Sequence, residues 1–303
     1  MTALSTFADT MLSQDVIAHQ QQIGVLQVSG VDGKKFLQGQ ITCDMSKLTT
    51  SQSLYGAVCS IKGRIIANFL VIQQDEQILL LMSKDLLEKT LTHLKKYAVF
   101  FKVELADASD AYRVTSVQTQ ATSTQPEQLT EILPTQTDHS AMRLTLSEYP
   151  VRTDWLVEPA QNTSLEEQNQ QYADVLNLLI ARPLIRAEQS EDILPQWLNM
   201  QRTGGISFTK GCYTGQEIVA RMQYRGKSKK QLALFYWQGG PTAESNLTDL
   251  GDKVVGQLFA QASCDDWSVA QVILNIEPEE LSAPKLGDTS VEPLALPYRL
   301  DKR

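Results

Sequence analysis

The sequence predicts an α+β protein in which two strand–helix units are followed by a small all-β domain. Helical and strand patterns alternate over residues 1–230, whereas residues 231–303 show strand patterns separated by glycine-containing turns. A chain of 303 residues is also long enough to bury more than one core. We therefore expect domains at residues 1–108, 109–230 and 231–303, with the last forming an antiparallel β-barrel.

The first unit is predicted to contain a sheet and one long helix. A polar lead-in with one short helix covers residues 1–20. Residues 84–96 should form an amphipathic helix, because Leu87, Leu91 and Leu94 recur at helical spacing. Alternating apolar patterns predict the strands, which we place at residues 24–29, 55–59, 64–72, 77–82 and 102–105.

The second unit repeats this pattern more loosely. Short strands are expected at residues 111–117, 143–146 and 155–157, and a helix at residues 174–182. Residues 118–140 are rich in Gln, Thr and Ser, and we interpret them as a surface connection with one short helix.

The C-terminal domain is predicted from alternation and turn residues alone. Turns at residues 239–241 and 251–252 separate apolar runs that are too short for helices. We expect strands at residues 232–237, 254–259, 268–276 and 294–300.

Composition narrows the possible functions. A formal net charge of −8 argues against a general nucleic-acid binder. No apolar run approaches the ~20 residues that span a bilayer, and the N-terminus lacks a secretory signal, so a cytoplasmic protein without membrane association is expected. The four cysteines are far apart in the chain, which predicts neither a metal site nor disulfides.

A glycine-rich loop that leads into a helix is the strongest functional signal. Thr214 and Glu217 have the spacing of a capping box, which places the helix start at Thr214. Cys212 lies just before that start and two residues from Lys210, and both features favour the thiolate form of its side chain. We expect the Cys212 sulfur to face a hollow between the lobes. The structural alternative is a capped helix in which Cys212 is a small buried apolar residue.

Residues 210–217, KGCYTGQE, followed by Arg221, resemble the signature of the YgfZ family. These proteins are folate-binding relatives of the glycine-cleavage T-protein and are linked to iron–sulfur enzymes and tRNA modification. Four other segments are similar to the family pattern: QGQ-x-T-x-D at residues 38–44, K-G-R at 62–64, LKKYAVF-x-KV at 94–103 and P-Q-x-x-N at 195–199.

The resemblance implies two interleaved ferredoxin-like, T-protein-like units around a central channel that accepts tetrahydrofolate, plus the barrel. It also implies an accessory factor for an iron–sulfur tRNA-modifying enzyme, with a possible tRNA contact and no metal of its own. Cys212 would be the reactive thiol, with Lys210 beside it. The residues implied for cofactor binding are Gln38, Gln40, Thr42, Asp44, Gln196, Asn199, Tyr213, Gln216, Glu217, Arg221, Ile23 and Ala173.

The chain departs from the family pattern at three positions. Ile23 and Ala173 align with aromatic residues of the folate site, and Leu179 aligns with a carboxylate that T-protein relatives use for the pterin. A stacking surface and a bidentate acceptor are therefore absent at these positions. Two alternatives stay open: an aminomethyltransferase of the T-protein kind, and a tRNA-binding module that uses the basic cluster Arg225, Lys227, Lys229 and Lys230.

Overall fold

The computed structural model describes residues 3–126, 131–138, 140–162, 165–224 and 229–300. Within these ranges the chain forms two antiparallel sheets with five α-helices packed around them. The helices are α1 (Ala3–Met11), α2 (Gly33–Gln38), α3 (Leu87–Ala98), α4 (Ala173–Leu179) and α5 (Gln216–Tyr224). None of the helices described is both long and apolar enough to cross a membrane.

The larger sheet has ten strands in the described part of the chain. They are β1 (Val16–His19), β2 (Ile23–Ser29), β3 (Gln52–Cys59), β4 (Ile65–Gln74), β5 (Gln77–Ser83), β6 (Glu104–Asp107), β7 (Tyr112–Gln120), β8 (Leu133–Asp138), β9 (Ala141–Ser147) and β10 (Val151–Pro159). Their order across the sheet is β1-β7-β10-β9-β8-β3-β4-β5-β2-β6.

Two pairings join the early and late strands of this sheet. Strand β1 pairs with β7, and Ile17 lies opposite Val117. Strand β8 pairs with β3, where Ser53 lies opposite Leu133, and the hydroxyls of Ser53 and Thr135 share a hydrogen bond of 2.6 Å. Because a strand of each half is hydrogen-bonded to the other half, the two units share one continuous sheet.

The second sheet belongs to the C-terminal domain and is barrel-like. It has seven strands, in the order β16-β15-β12-β13-β14-β11-β17. The strands are β11 (Gln231–Gln238), β12 (Asn246–Thr248), β13 (Val254–Cys264), β14 (Trp267–Leu274), β15 (Lys285–Leu286), β16 (Thr289–Ser290) and β17 (Glu292–Leu294). Phe235, Trp237 and Leu247 are buried in a core that belongs to this domain alone. The α+β class and the barrel-like C-terminal domain agree with the sequence prediction.

Several element predictions were wrong in position. Strand β1 falls in the predicted lead-in, and β8 falls where a surface connection with a short helix was expected. The predicted strand at residues 294–300 is instead β17, which ends at Leu294. Residues 84–86 form a single 3₁₀ turn before α3 begins at Leu87.

Buried polar side chains hold the segment that follows α4 against the large sheet. Tyr55 is fully buried and donates its hydroxyl to the carbonyl oxygen of Pro183 at 2.7 Å. Asn68 donates to the same oxygen at 2.7 Å and accepts from the Ile185 amide at 2.8 Å. These bonds satisfy loop backbone that burial would otherwise leave unpaired. They fix the segment over β3 and β4, where it becomes one wall of a cavity.

Candidate functional site

The loop at residues 204–215 is tied to the segment at residues 38–44 by buried hydrogen bonds. The hydroxyl of Thr42 donates to the Gly205 carbonyl oxygen at 2.5 Å and accepts from the Ala57 amide at 2.9 Å. The Ser207 amide donates to the Thr42 carbonyl oxygen at 2.9 Å. Thr42 is therefore a structural junction between strand β3 and the loop.

Lys210 makes the deepest of these contacts. Its side chain is buried, and Nζ donates to the carbonyl oxygens of Ile41 at 2.7 Å and Cys43 at 2.8 Å. The ammonium also lies 5.2 Å from the ring centroid of Tyr213. Burial lowers the pKa of Lys210 to about 8, while Cys43 and Asp44 act in the opposite direction. In these contacts Lys210 anchors the loop to the 41–43 backbone.

Helix α5 begins later than predicted. It starts at Gln216, and the Gln216 side-chain oxygen accepts from the Tyr213 amide at 3.2 Å, which is the role expected of Glu217. Gly215 has φ +84°, and a Cβ at this position would lie 2.5 Å from the Ser60 carbonyl oxygen. Close packing against residues 60–63 leaves no room for a side chain at the Gly215 turn. The capping bond joins Tyr213 and Gln216, so the expected capping box at Thr214 and Glu217 was wrong.

Cys212 is exposed on the outside of this loop. At its neighbour Gly211, a Cβ would meet no other atom within 4 Å, so the surroundings are open. Cys212 is not among the residues that line the cavity beside α4 or the hollow beside Arg64, so its sulfur does not face either of them. The alternative of a buried apolar cysteine was wrong. Glu217 and Arg221 are also exposed on α5.

The other two cysteines near the loop are inert by burial. Cys43 and Cys59 are almost completely buried in the main core. Burial raises the pKa of each thiol to about 12. The Cys43 sulfur packs against Gly56, where a Cβ would lie only 2.5 Å away, so Cys43 fills space between two chain segments.

The polar residues of the 38–44 segment bond mainly to one another. Gln38 donates to Asp44 at 3.0 Å and accepts from the Met45 amide at 2.8 Å. Burial alone would raise the pKa of the Asp44 carboxyl, but hydrogen bonds from Ser46 and Gln38 and the charge of Lys210 hold it below its usual range. Gln40 is buried, and its side-chain oxygen has no protein partner.

Gln196 and Asn199 connect the loop region to α5 and the barrel. Gln196 donates to the Val219 carbonyl oxygen at 2.7 Å. Asn199 has φ 56° and donates to the Leu232 carbonyl oxygen at 3.0 Å and the Tyr298 hydroxyl at 3.2 Å. Asparagine tolerates this left-handed conformation better than most residues. The side-chain oxygens of both residues are buried without a protein partner.

A cavity of about 200 Å³, which we call the central cavity, lies between the large sheet, α4 and the barrel. Its wall combines strand ends, one side of α4, the segment after α4, and strands β13 and β14. The lining residues are Gln20, Gln22, Ile23, Leu70, Ser83, Leu146, Trp155, Asp174, Asn177, Leu178, Ile180, Arg182, Pro183, Leu184, Arg186, Phe259, Ala260, Gln261, Ala262 and Gln271.

Side-chain amides form a connected network along one wall of the central cavity. Asn177 on α4 accepts from Gln118 at 3.0 Å and donates to Gln20 at 3.1 Å. Gln20 also accepts from Gln22 at 3.0 Å. From the barrel, Gln271 donates to the Leu178 carbonyl oxygen at 2.8 Å and so fixes α4 against β14. This wall is polar and uncharged.

The remaining walls are apolar or charged, and the charged side chains are Arg182, Arg186 and the exposed Asp174. Ile23, Leu70 and Trp155 supply apolar surface. Arg182 is buried and donates to the Leu146 carbonyl oxygen at 2.7 Å, whereas Arg186 is exposed. A flat heterocycle with amide-like donors and acceptors fits such a lining, because neutral amides can both donate and accept. Tetrahydrofolate contains a heterocycle of this kind and a carboxylate-bearing tail.

Few of the predicted cofactor-binding residues reach the central cavity. Ile23 lines it, whereas Ala173 is buried in an apolar cluster with Leu179. Leu179, which aligns with the pterin-binding carboxylate of T-protein relatives, therefore does not line the central cavity. The other predicted residues of the loop, of the 38–44 segment and of the 195–199 segment belong to the interface described above and do not line the cavity. They are Gln38, Gln40, Thr42, Asp44, Gln196, Asn199, Lys210, Tyr213 and Gln216. Sequence reasoning missed Gln20, Asn177, Arg182 and Gln271, which stand in no motif.

In the part of the chain that the structure describes, no group of three or more His, Cys, Asp or Glu side chains is arranged to hold a metal ion. Of the predicted basic cluster, Arg225 and Lys227 lie outside the described residues. Lys229 pairs with Glu280 at 3.1 Å. Lys230 lies 3.9 Å from the ring centroid of Trp197.

Comparison with known proteins identifies a matching family and relatives that are similar to this chain in sequence. The GCVT N-terminal domain family matches residues 10–143. A tRNA-modifying protein YgfZ from Colwellia psychrerythraea is 32% identical over 308 residues, covering 95% of each chain. The YgfZ protein of Klebsiella pneumoniae is 33% identical over 305 residues, covering 90% of each chain.

A solved structure shares the fold at low sequence identity. The glycine cleavage system aminomethyltransferase T from Bartonella henselae superposes with a TM-score of 0.62 at 14% identity, covering 88% of this chain and 79% of the other. This likeness extends over both sheets and shows a T-protein-like fold. Because a relative of 32% identity covers 95% of the chain, this protein belongs to the YgfZ family of tRNA-modifying proteins.

Proposed function

We propose that this chain is a folate-binding accessory factor in tRNA modification that supports an iron–sulfur tRNA-modifying enzyme. The amide-lined central cavity supports the ligand-binding part of this proposal, because its wall offers neutral donors and acceptors beside apolar surface. Family membership supports the connection to tRNA. The cavity holds a tetrahydrofolate-type molecule, and the exposed loop presents Cys212 to a partner.

The proposal separates ligand binding from thiol chemistry. The cavity lining comes from β13, β14, α4 and the segment after it, whereas Cys212 is on an exposed loop that is anchored to residues 41–43. A thiol that is outside the cavity is accessible to a second protein. This arrangement favours an accessory factor over an enzyme that acts on a ligand in the cavity.

The aminomethyltransferase alternative is less well supported. Leu179 occupies the position that aligns with the pterin-binding carboxylate of T-protein relatives, and it is packed with Val175, Leu176 and other apolar residues. A Glu at this position would be buried in apolar surroundings and would not face a ligand. Assay of aminomethyl transfer from a lipoyl carrier to tetrahydrofolate tests this alternative directly, and we expect no turnover.

Titration of the purified protein with tetrahydrofolate by calorimetry tests the ligand-binding part. The informative variant is Ala260→Trp, because Ala260 lines the central cavity and a bulky side chain there would occupy it. Ala243→Trp is the matched control, since Ala243 is exposed on the same domain. We expect saturable binding by the wild type and Ala243→Trp and at least roughly a tenfold loss in Ala260→Trp. Equal affinities in all three proteins would place the ligand elsewhere.

The role of the thiol is tested in cells that lack the native copy. We expect Cys212→Ala to lower the extent of tRNA modification by the iron–sulfur enzyme, while Cys264→Ala, which alters a buried cysteine of the barrel, retains it. Both variants should reach wild-type abundance, because each substitution removes a single sulfur atom and leaves the backbone hydrogen bonds of the loop and the barrel in place. Full restoration of modification by Cys212→Ala would remove the thiol from the proposed function.

A further inference from the structure

A second hollow of about 590 Å³ lies beside the central cavity, on the other side of Phe259. It is formed by the turn at Arg64, the segment 188–197 and the barrel. Its lining residues are Arg64, Glu188, Gln189, Asp192, Ile193, Trp197, Lys230, Asn246, Val254, Gly256, Gln257, Leu258, Phe259, Ile273 and Asn275.

Three stretches of chain run from one hollow into the other. Strand β13 lines the second hollow from Val254 to Leu258 and the central cavity from Ala260 to Ala262. Strand β14 contributes Gln271 to the central cavity and Ile273 to the second hollow. The segment after α4 lines the cavity up to residue 186 and the second hollow from residue 188. The two hollows thus lie next to each other along the barrel and share Phe259 as a lining residue.

Phe259 marks the boundary between the two hollows. In the pairing of β13 with β14, Leu258 lies opposite Val272 and Ala260 lies opposite Gln271, so Phe259 is the extra residue of a β-bulge. Its carbonyl oxygen accepts from the Gln189 side chain at 2.9 Å. A strand rises about 3.3 Å per residue, so the centres of the two hollows are separated by on the order of 10 Å.

Two cations meet at an indole ring in the second hollow. The Lys230 ammonium is 3.9 Å and the Arg64 guanidinium 4.8 Å from the Trp197 ring centroid. Arg64 also donates to the Asp192 carbonyl oxygen. Contact with the ring restricts both side chains and holds both positive charges near one indole in a partly enclosed place. Such a pair is suited to bind carboxylates.

Two carboxylates also line the second hollow. Glu188 and Asp192 are exposed, whereas Arg64, Lys230 and Trp197 are half-buried. Coulomb interactions are stronger for groups that are less exposed to water. The cations therefore dominate the inner part of the hollow, and the acidic side chains repel an anion mainly from the exposed part.

We propose that the second hollow binds the anionic γ-glutamyl tail of a folate whose heterocycle occupies the central cavity, and that Arg64 and Lys230 bind the tail carboxylates. The inference rests on the proposed function and goes beyond it, because it assigns a separate subsite and predicts a preference for polyglutamylated ligands. Each added glutamyl residue brings one more carboxylate, and these extend along the barrel past Phe259 toward the two cations.

The test compares tetrahydrofolate that carries one glutamate with tetrahydrofolate that carries three, by calorimetry on the full-length protein. We expect the triglutamyl form to bind the wild type about tenfold more tightly at low salt, as two partly exposed ion pairs allow. The preference should fall to about twofold in the double variant Arg64→Gln, Lys230→Gln. It should also fall as NaCl is raised, because salt screens partly exposed charges.

Matched variants separate a specific subsite from a general charge effect. Lys229→Gln removes the neighbouring cation, which pairs with Glu280 outside the second hollow, and should keep the wild-type preference. Glu188→Gln removes a repelling carboxylate and should increase it. The ratio of the two affinities is taken within each variant, so changes in folding stability cancel.

The outcomes distinguish the inference from the proposed function. Equal affinity for the two ligands, or a preference that the double variant retains, would overturn the tail subsite while folate binding stands. Failure of both ligands to bind any of the folded proteins would overturn the proposed ligand and the tail subsite together.

Discussion

The loop that contains Cys212 and the central cavity are built in opposite ways. The loop has an unmistakable sequence motif, yet its Lys210 bonds to the protein backbone, as do Thr42 and Asn199 in neighbouring segments. The cavity has no motif, yet polar side chains such as Gln20 and Asn177 line open space. The residues of a motif can thus serve to stabilise a loop, while the residues that line a cavity are dispersed along the chain.

The largest expected effect follows from treating Lys210 as an anchor. Lys210→Met keeps much of the side-chain volume but leaves the carbonyl oxygens of Ile41 and Cys43 without their donor. Buried acceptors that lose a charged donor are costly, so we expect the free energy of unfolding to fall by about 3 kcal/mol in urea denaturation at pH 7. Lys229→Met, at an exposed ion pair, should cost less than about 1 kcal/mol. Equal, small effects would mean that Lys210 is not an anchor.

The second prediction concerns pH and the same lysine. Burial lowers the pKa of Lys210 to about 8 in the folded chain, below its ordinary value of 10.5. Between these values the unfolded chain holds a proton that the folded chain has released, so stability rises with pH. The difference in unfolding free energy between wild type and Lys210→Met should change in favour of the wild type by on the order of 2 kcal/mol from about pH 8 to about pH 10.5.

Urea denaturation of both proteins at several pH values measures this difference. Tyrosines and other lysines also titrate in this range, but they are common to the two proteins and cancel. A difference that is flat, or that moves against the wild type with rising pH, would show that the fold does not disfavour the Lys210 ammonium and would contradict a pKa lowered by burial.

A third prediction tests the cavity wall. Asn177→Leu removes the partner of Gln118, which is fully buried, and one of the donors to Gln20. We expect a loss of about 1–2 kcal/mol in unfolding free energy together with weaker tetrahydrofolate binding, since the amide network loses its central member. Gln22→Leu, at the exposed end of the network, should change stability by less than about 0.5 kcal/mol. A purely structural role for Asn177 would lower stability and leave the ligand affinity unchanged.

Much of the fold could be predicted because many of its strands and helices have a clear apolar pattern within their own residues. Strands β4 and β5 are long apolar runs, and the repeated leucines of α3 indicate a helix without tertiary information. Strand β1 has only four residues, and β8 is formed by Leu133 and Thr135 facing inward among polar residues, so neither has a clear local pattern. Their pairing with distant strands stabilises them.

The site was less predictable than the fold for a related reason. The start of α5 is set by contact between Gly215 and the Ser60 carbonyl oxygen, which no local capping rule includes. The cavity joins Gln20, Asn177 and Gln271, which are far apart in the chain and are common residue types. Only the topology brings them to one place. A sequence motif could therefore reveal the loop, whereas the cavity depends on the three-dimensional arrangement.

Substitution of Cys212 should have the smallest effect on stability. The reactivity of its thiol instead distinguishes the exposed loop from the buried core. Because Cys212 is exposed while Cys43 and Cys59 are buried with pKa values raised to about 12, iodoacetamide should label one of the four cysteines in the native protein and all four in urea. Cys212→Ala should abolish native labelling and change the unfolding free energy by less than about 0.5 kcal/mol. Mass spectrometry of the labelled peptides identifies the site. Native labelling of Cys43 at a similar rate would mean that the interface between residues 38–44 and the loop opens readily, and Lys210 would then be an ineffective anchor.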